Sequence, residues 1–361
     1  MSHERSVGYF LEHKWEFVPV DVRSPGEFAD SHIPNAVNIP LLTNEERAEV
    51  GTIYKRIGKK EAKWRAMEIV SPKLPQILGE IKKLASTGKQ PLLYCWRGGL
   101  RSQSVYQFAN MAGLDADRLE GGYRAYREAI LELIPRLIPG QAIVIDGMTG
   151  TGKTEILHLL KKRGHPVLDL EKYANHRGSV FGALGGQKPH NQKMFDALLF
   201  EDLHNMRGAD YFIMEGESKR IGHAVQPPEL YEKKVNGIHI LVTAPLETRI
   251  DRIYRDYVAD NPEPDALFEA ASYALGKILK RIKPLEVREE LVRRLEKREY
   301  REFIRLMILY YYDPRYENKA KEVGRIDYVV SGESAEEAAE KISAYIRALP
   351  FGEGRLQYAE R

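Results

Sequence analysis

Short apolar runs alternate with helical patterns through the first third of the chain. Residues 17–20, 36–39 and 91–94 are short apolar runs of the kind found in buried strands. Residues 102–112 carry apolar side chains at helical spacing, and residues 119–122 end in two glycines, which indicates a strand end and a turn. Strands that alternate with helices predict an α/β fold with a mostly parallel sheet.

A second series of the same kind begins after a helical connector at residues 123–137. Its strand candidates are residues 142–146, 166–169, 211–214 and 238–242. Because 361 residues exceed a typical single core, we predict two α/β domains. Their predicted ranges are residues 1–138, including the connector helix, and residues 139–350, which include a basic helical segment at 276–312; residues 351–361 are predicted to form a tail.

Composition narrows the class of protein. Hydrophobic residues make up 43% of the chain and charged residues 30%, as in ordinary globular proteins, and no run approaches the roughly 18 apolar residues of a membrane span. The first ten residues lack the apolar core of a secretory signal, so we expect a cytoplasmic protein without a membrane partner. A net charge of +3 neither requires nor excludes a nucleic-acid partner.

Residues 147–154 match the phosphate-binding motif G-x-x-x-x-G-K-[ST] at every defined position, between a predicted strand and a predicted helix. Glycines let backbone N–H groups converge on an anion at a helix N-terminus, lysine adds a positive charge, and the final threonine can ligate Mg²⁺. The motif predicts a bound phosphate or diphosphate but leaves nucleotide binding and hydrolysis open. The predicted binding residues are Gly147, Thr149, Gly150, Thr151, Gly152, Lys153 and Thr154.

An acidic second motif is less clearly defined. Glu215 ends a predicted strand, but the usual aspartate of such motifs is absent. Glu215 could order Mg²⁺ or a water molecule, or it could be an ordinary strand-end carboxylate, and the sequence leaves both interpretations open. We predict no dedicated metal centre.

Cys95 is the single cysteine of the chain, which excludes an intrachain disulfide and a zinc site built from several cysteines. It opens a loop, residues 95–102, between a predicted strand and a predicted helix. The helix N-terminus and two arginines, Arg97 and Arg101, favour a thiolate and therefore a nucleophile. The alternative is an inert, buried cysteine.

Three stretches, residues 21–28, 32–40 and 119–123, resemble the rhodanese family. This resemblance implies that Cys95 carries a transferable sulfur as a persulfide, and it adds Asp21 to the candidate catalytic residues. Five residues separate Cys95 from Arg101, whereas single-domain rhodaneses often have four. The wider loop also resembles that of cysteine phosphatases. It could admit an oxyanion such as selenophosphate or could indicate phosphatase chemistry, and both remain open.

A rhodanese-like domain followed by a P-loop domain resembles the tRNA 2-selenouridine synthase family. Further stretches that carry this resemblance are residues 168–171, 176–182, 215–218 and 311–316. It implies that wobble 2-thiouridine in the anticodon arm of tRNA is geranylated by geranyl diphosphate and then selenated by selenophosphate. It also implies that Cys95 is essential for selenation, and it makes the enzyme that produces selenophosphate a candidate partner.

Two regions could contact tRNA. Residues 277–305 contain eleven Lys or Arg against six Glu, and three tyrosines follow, but a salt-bridged surface explains this pattern slightly better than RNA binding. The second region lies at predicted strand ends, where ligands of α/β sheets bind. Its candidates for anion or tRNA contacts are Arg177, Lys188, Lys193, Lys219 and Arg220.

Two other functions fit the same motifs. One is a general sulfurtransferase fused to a P-loop kinase that acts on a small molecule. The other is a non-catalytic, nucleotide-controlled RNA-binding protein in which Cys95 senses oxidants. A sulfurtransferase would need no RNA, and a sensor would release no product.

Overall fold

The structure is a computed structural model that describes residues 4–176, 188–259, 261–315 and 325–351. It divides into two compact units. The N-terminal unit is built from the residues up to Arg136 together with Asp196–Glu201. The C-terminal unit is built from Leu137–Phe195 and from the residues after Glu201.

The N-terminal unit contains strands and helices in alternation. Its strands are β1 (Glu4–Arg5), β2 (Phe17–Asp21), β3 (Val37–Asn38), β4 (Gln90–Tyr94) and β5 (Asp117–Leu119). Its helices are α1 (Val7–Glu12), α2 (Pro25–Asp30), α3 (Asn44–Arg56), α4 (Lys59–Val70), α5 (Leu74–Ala85), α6 (Leu100–Met111) and α7 (Gly122–Leu137), with 3₁₀ turns at Lys14–Glu16 and Ser71–Lys73.

The five strands of this unit form one sheet in the order β1-β5-β4-β2-β3, and every pairing in it is parallel. Asp21 at the end of β2 is the register partner of Tyr94 at the end of β4. The chain leaves the sheet directly after Tyr94, so the parallel arrangement places Cys95 at the carboxyl edge of a central strand. Val20 and Leu93 are fully buried beneath it.

The C-terminal unit repeats this arrangement with a second sheet. Its strands are β6 (Gln141–Asp146), β7 (Val167–Leu168), β8 (Tyr211–Glu215), β9 (Arg220–Ile221), β10 (Ala224–Val225), β11 (Ile238–Thr243) and β12 (Tyr328–Ser331). Its helices are α8 (Lys153–Lys162), α9 (Leu170–Ala174), α10 (Gln192–Asn205), α11 (Pro228–Val235), α12 (Leu246–Tyr254), α13 (Pro264–Ile278), α14 (Leu285–Glu296), α15 (Tyr300–Met307) and α16 (Ala335–Arg347).

Five of these strands form a parallel sheet in the order β12-β11-β6-β8-β7, and β9 and β10 form a small antiparallel hairpin. Ile145 of central strand β6 pairs with Ile240 on one side and Glu215 on the other. The loop after β6 and the end of β8 therefore meet at one edge of the sheet. The predicted α/β class, with a largely parallel sheet in each half, is confirmed.

The basic segment at residues 276–312 is a succession of short helical pieces with a core of its own. Helix α13 ends in a 3₁₀ turn at Leu279–Arg281, and α15 continues into a π-helical turn at Ile308–Tyr312. Leu291 and Ile304 are buried together with Tyr311 and Tyr312, whereas Tyr310 is 41% exposed. Two of the three tyrosines are therefore core residues.

Many cations of this segment are already paired with acids. Arg294 contacts Glu290 and Glu299, Arg301 contacts Asp251, and Arg305 contacts Glu247. These pairs support the salt-bridged interpretation of the charge pattern. Within the described residues, no helix has the length and apolarity that crossing a membrane requires.

The buried His165 provides a test of the C-terminal core. Its ring nitrogens lie 2.8 Å from the Tyr211 hydroxyl and 2.9 Å from the Ser343 hydroxyl, and burial, with Arg347 and Arg163 nearby, lowers the pKa of His165 from 6.5 to about 4. The folded state therefore favours the neutral ring, so its contribution to stability is complete above pH 6.5 and is lost as the pH falls toward 4.

We expect acidification from about pH 7.5 to about pH 5 to cost on the order of 2 kcal/mol through this group. Urea unfolding followed by circular dichroism at both pH values measures the difference. His165→Asn should be less stable near neutral pH because it disturbs both hydrogen bonds, but its stability should depend less on pH. An equal pH dependence in the two proteins would contradict the assignment.

Candidate active sites

The Cys95 thiol lies at the base of the loop between β4 and α6. It is 3% exposed, and its Sγ lies 3.3 Å from the Ser102 hydroxyl and 3.9 Å from the Gly99 carbonyl oxygen. Ser102 belongs to the first turn of α6, where the backbone N–H groups have no acceptor within the helix. The predicted strand–loop–helix setting of the cysteine is therefore present.

Backbone amides in the first turn of α7 hold the cysteine loop from the other side. The N–H of Tyr123 donates to the Cys95 carbonyl at 2.9 Å, and the N–H of Arg124 donates to that of Trp96 at 2.9 Å. Gly122 has a positive φ of 61°, and a Cβ at this position would lie 2.2 Å from the Cys95 carbonyl oxygen. Gly122 thus permits the close backbone approach on which the loop depends.

Arg101 forms an ion pair with an acidic side chain of another helix. Its guanidinium forms two hydrogen bonds, of 2.6 and 3.2 Å, with the carboxylate of Glu27 on α2. Burial raises the pKa of Glu27, but the hydrogen bonds and charge of Arg101 outweigh it, so the pKa of this carboxyl lies below its usual value. Arg97 is exposed. The predicted action of both arginines on a thiolate stays a prediction.

Asp21 has a clear structural task. It is fully buried and forms an ion pair with Arg23, with Nε–Oδ1 and Nε–Oδ2 distances of 2.9 Å. Arg23 in turn donates to the Ser31 carbonyl at 2.6 Å and lies over the Tyr123 ring. The Asp21 carboxylate therefore fixes the core beneath the cysteine loop, and a catalytic role for it remains a prediction.

A cavity of about 880 Å³ lies beside the cysteine loop within the N-terminal unit. Cys95, Arg97 and Arg101 line it together with side chains of α3 and α4. Asp21 is not among its lining residues. The structure thus brings three of the four predicted catalytic residues to one cavity.

The phosphate-binding loop occupies the corresponding position in the C-terminal unit, between β6 and α8. Gly147, Gly150 and Gly152 have positive φ angles of 155°, 84° and 91°, as the tight curl of the loop requires. The Lys153 ammonium donates to the Gly147 carbonyl at 2.8 Å and to the Met148 carbonyl at 3.1 Å. Its charge therefore lies over the loop, where an anion would bind.

Three carboxylates gather next to this loop. Glu215 accepts a hydrogen bond of 3.0 Å from the Thr154 hydroxyl through Oε1, and Glu171 and Glu217 complete a group whose ligand atoms lie within 4.8 Å of one another. Burial, followed by the charges of Glu171 and Glu217, raises the pKa of Glu215 well above its usual value. No described residue hydrogen-bonds the buried Glu215 Oε2.

A buried carboxylate in such a setting is stabilised by a proton or by a cation. The residues therefore fit a divalent cation held by carboxylate oxygens and the Thr154 hydroxyl, which are the hard oxygen ligands that Mg²⁺ prefers. The strand-end position of Glu215 was recognised in the sequence, but its two acidic neighbours were not.

Two buried arginines of α12 donate hydrogen bonds to backbone carbonyls of the phosphate-binding loop. Arg249 donates to the Thr149 carbonyl at 2.8 Å and forms a paired contact with Asp313, with N–O distances of 2.6 and 3.0 Å. Arg252 donates to the Thr151 carbonyl at 3.1 Å. The sequence prediction missed both arginines, because they lie about a hundred residues beyond the motif. Their spacing of three on a helix was the one available signal.

The predicted anion or tRNA contacts fall into two groups. The first group, Lys219 and Arg220, is exposed at the start of the β9–β10 hairpin. The second group lies around the start of α10, and its Lys188 is exposed just before this helix. Lys193 is half-buried in the first turn of α10. Arg177 lies outside the described residues. The tRNA-binding role of these residues stays a prediction.

Comparison with known families identifies both units. The family model described as the tRNA 2-selenouridine synthase AAA domain matches residues 140–348, and the rhodanese-like domain model matches residues 9–129. The chain belongs to the tRNA 2-selenouridine synthase family. Members of this family are enzymes that modify tRNA.

Several proteins named tRNA 2-selenouridine synthase show the extent of the similarity. That of Azotobacter vinelandii is 34% identical, over 93% of this chain and 95% of its own length. That of Nitrosomonas eutropha is 33% identical, over 82% of this chain and 87% of its own length. That of Nitrosomonas europaea is 37% identical over 67% of this chain, and this match spans 64% of its length.

Gly122→Ala tests the support of the cysteine loop, with Gly113→Ala as a matched control. Gly113 also has a positive φ, 73°, but a Cβ there would have no neighbour within 4 Å. We expect Gly113→Ala to cost about 1 kcal/mol, from backbone strain alone. Gly122→Ala should cost about 3 kcal/mol or more, because the added methyl group also collides with Cys95.

Urea unfolding measures the cost of each substitution. Iodoacetamide alkylation followed by intact-mass spectrometry reports on the loop, because Cys95 is the single cysteine. We expect faster alkylation in Gly122→Ala than in Gly113→Ala. Equal costs and equal alkylation rates would show that the close approach does not hold the loop.

Proposed function

We propose that this protein converts wobble 2-thiouridine of tRNA to 2-selenouridine through an S-geranyl intermediate, using geranyl diphosphate and selenophosphate. The observation that carries the proposal is the presence, in one chain of this family, of a cysteine loop beside a large cavity and an intact phosphate-binding loop. A general sulfurtransferase joined to a small-molecule kinase would not require the family relationship over both units.

The first step alkylates the thiocarbonyl sulfur. This sulfur attacks C1 of geranyl diphosphate, the C–O bond breaks, diphosphate leaves, and the uridine N3 proton is released. The amides of the phosphate-binding loop and the Lys153 ammonium would bind the diphosphate oxygens and stabilise their growing charge. Thr154, Glu215, Glu171 and Glu217 would hold Mg²⁺, which supplies further positive charge to the diphosphate.

The second step exchanges sulfur for selenium. The selenium of selenophosphate attacks C2 of the alkylated base and expels geranyl thiolate, which takes a proton. Water then cleaves the P–Se bond and releases phosphate, while N3 regains its proton, so the exchange requires no oxidant or reductant. Alkylation makes this exchange feasible, because a thiolate leaves more readily than the sulfur of a thiocarbonyl.

Cys95 would act in the second step by donating the proton that the departing geranyl thiolate takes, and water would then return a proton to Cys95. Its thiol is the single cysteine sulfur of the chain and lines the cavity. The substrate is the anticodon arm of tRNA, so the enzyme would work in the cytoplasm. The enzyme that produces selenophosphate would be its natural partner, because selenophosphate is the reactive selenium donor. ATP or GTP has no assigned step in this scheme.

Lys153→Ala tests the role of the phosphate-binding loop. We expect geranylation of 2-thiouridine tRNA to fall by about 100-fold, because a charged contact to the leaving diphosphate is lost. Mass spectrometry of the nucleosides measures the product. Lys162→Ala, a substitution of an exposed lysine at the far end of the same helix, should retain activity. Tight geranyl diphosphate binding that survives Lys153→Ala would contradict this assignment.

Cys95→Ala tests whether Cys95 is required for selenation but not for geranylation. With geranyl diphosphate and selenophosphate present, wild type should produce 2-selenouridine, whereas the variant should stop at S-geranyl-2-thiouridine. The same nucleoside analysis separates the two products. Unchanged 2-thiouridine with wild-type protein would reject the proposed function, and thiosulfate:cyanide transfer or ATP consumption would then be assayed in its place.

A further inference from the structure

The cavity beside Cys95 is much larger than sulfur or selenium transfer requires. Its volume, about 880 Å³, lies in the upper part of the range of roughly 300–1,000 Å³ that is typical of sites for small organic molecules. Selenophosphate or a persulfide would occupy a small fraction of it. The size therefore indicates a second, bulkier ligand group next to the thiol.

The walls of the cavity are largely apolar. Leu41, Leu42 and Val70 are buried side chains of its lining, and Val50, Leu74 and Phe108 extend the same surface. Water in such a space has few hydrogen-bonding partners, so filling the space with water is unfavourable. A bound hydrocarbon chain, by contrast, removes apolar surface of both the protein and the ligand from solvent. The ligand group that fits is a flexible hydrocarbon chain.

Cations border the same cavity. Lys55 at the end of α3 and Lys59 and Lys63 on α4 belong to its lining and are exposed to solvent. Exposed lysines of this kind attract phosphate groups. A ligand that matches the whole site therefore combines a hydrocarbon chain with a polyanion. A geranylated tRNA and geranyl diphosphate both have this chemistry.

The chemistry of selenation decides between these two sources. When selenium replaces sulfur at C2 of the base, the departing sulfur still carries the geranyl chain. If Cys95 acts on that atom, the chain must lie within a few bonds of the thiol. Geranyl diphosphate, by contrast, is expected at the phosphate-binding loop through its diphosphate.

We propose that the apolar cavity of the N-terminal unit binds the geranyl chain of S-geranyl-2-thiouridine tRNA and so positions C2 of the base at Cys95. The lysines at its border would contact the tRNA backbone. This inference rests on the proposed function and adds a binding site for the intermediate. It also makes the length of the alkyl group a determinant of selenation.

Ala66→Phe tests the proposal by filling the cavity. Ala66 is half-buried on α4 and lines the cavity, whereas Ala48 is exposed on α3 and does not line it. Ala48→Phe is therefore a control with the same added volume. Preformed S-geranyl and S-methyl 2-thiouridine tRNAs are supplied with selenophosphate, and KM and kcat for selenation are measured.

We expect Ala66→Phe to raise KM for the S-geranyl tRNA by about tenfold or more and to leave the S-methyl tRNA nearly unchanged. Ala48→Phe should resemble wild type with both substrates. Equal effects of Ala66→Phe on the two substrates would overturn the proposal. Failure of wild type to selenate either tRNA would reject the proposed function, and the binding experiment below would still decide what the cavity holds.

Protection of Cys95 from iodoacetamide provides that binding experiment. The S-geranyl-2-thiouridine nucleoside should slow alkylation of wild type and of Ala48→Phe, but not of Ala66→Phe, and the S-methyl nucleoside should protect weakly. An alkylation rate that the S-geranyl nucleoside leaves unchanged in wild type would refute the proposal. Protection by geranyl diphosphate alone would also refute it, and would assign the cavity to the geranyl donor.

Discussion

Backbone N–H groups at helix N-termini are the constraint on which both sites depend. In each unit a central parallel strand ends, the chain turns within a few residues, and a helix begins whose first amides have no partner inside the helix. The turn places those amides at the carboxyl edge of the sheet. The positive potential at these helix N-termini can then act on the thiol in one unit and on a bound anion in the other.

Such turns require support from distant parts of the chain. Gly122 approaches the Cys95 carbonyl from the start of α7, and Arg249 reaches the Thr149 carbonyl from α12 while it is fixed by Asp313. Neither supporting residue would contact a substrate phosphate or the reacting sulfur in the proposed scheme. Both support the shape of the loop that does.

The sequence was sufficient to locate these loops, because each is a continuous motif between a strand and a helix. The alternation of short apolar runs with helical patterns likewise predicted both parallel sheets. Contacts between distant residues were not predictable. Arg101 pairs with Glu27 across more than seventy positions, and Glu171, Glu215 and Glu217 converge through the fold, although each is one acid among the 52 of the chain.

The cavity was hidden for a related reason. Helix α3 contains no fully buried residue, and its apolar positions are interspersed with charges, so its sequence resembles that of an ordinary surface helix. Residues that line a cavity have no sequence pattern of their own, because side chains that face a bound hydrocarbon chain are as apolar as side chains that face a protein core.

The burial of Cys95 at this cavity affects the chemical lifetime of its sulfur. A thiol that is 3% exposed meets dissolved oxidants chiefly through the space that it lines. A hydrocarbon chain bound in that space would block the access of water and peroxide to Cys95 while selenium replaces sulfur on the base. The same residues that recognise the intermediate would then also shield the Cys95 sulfur from oxidation.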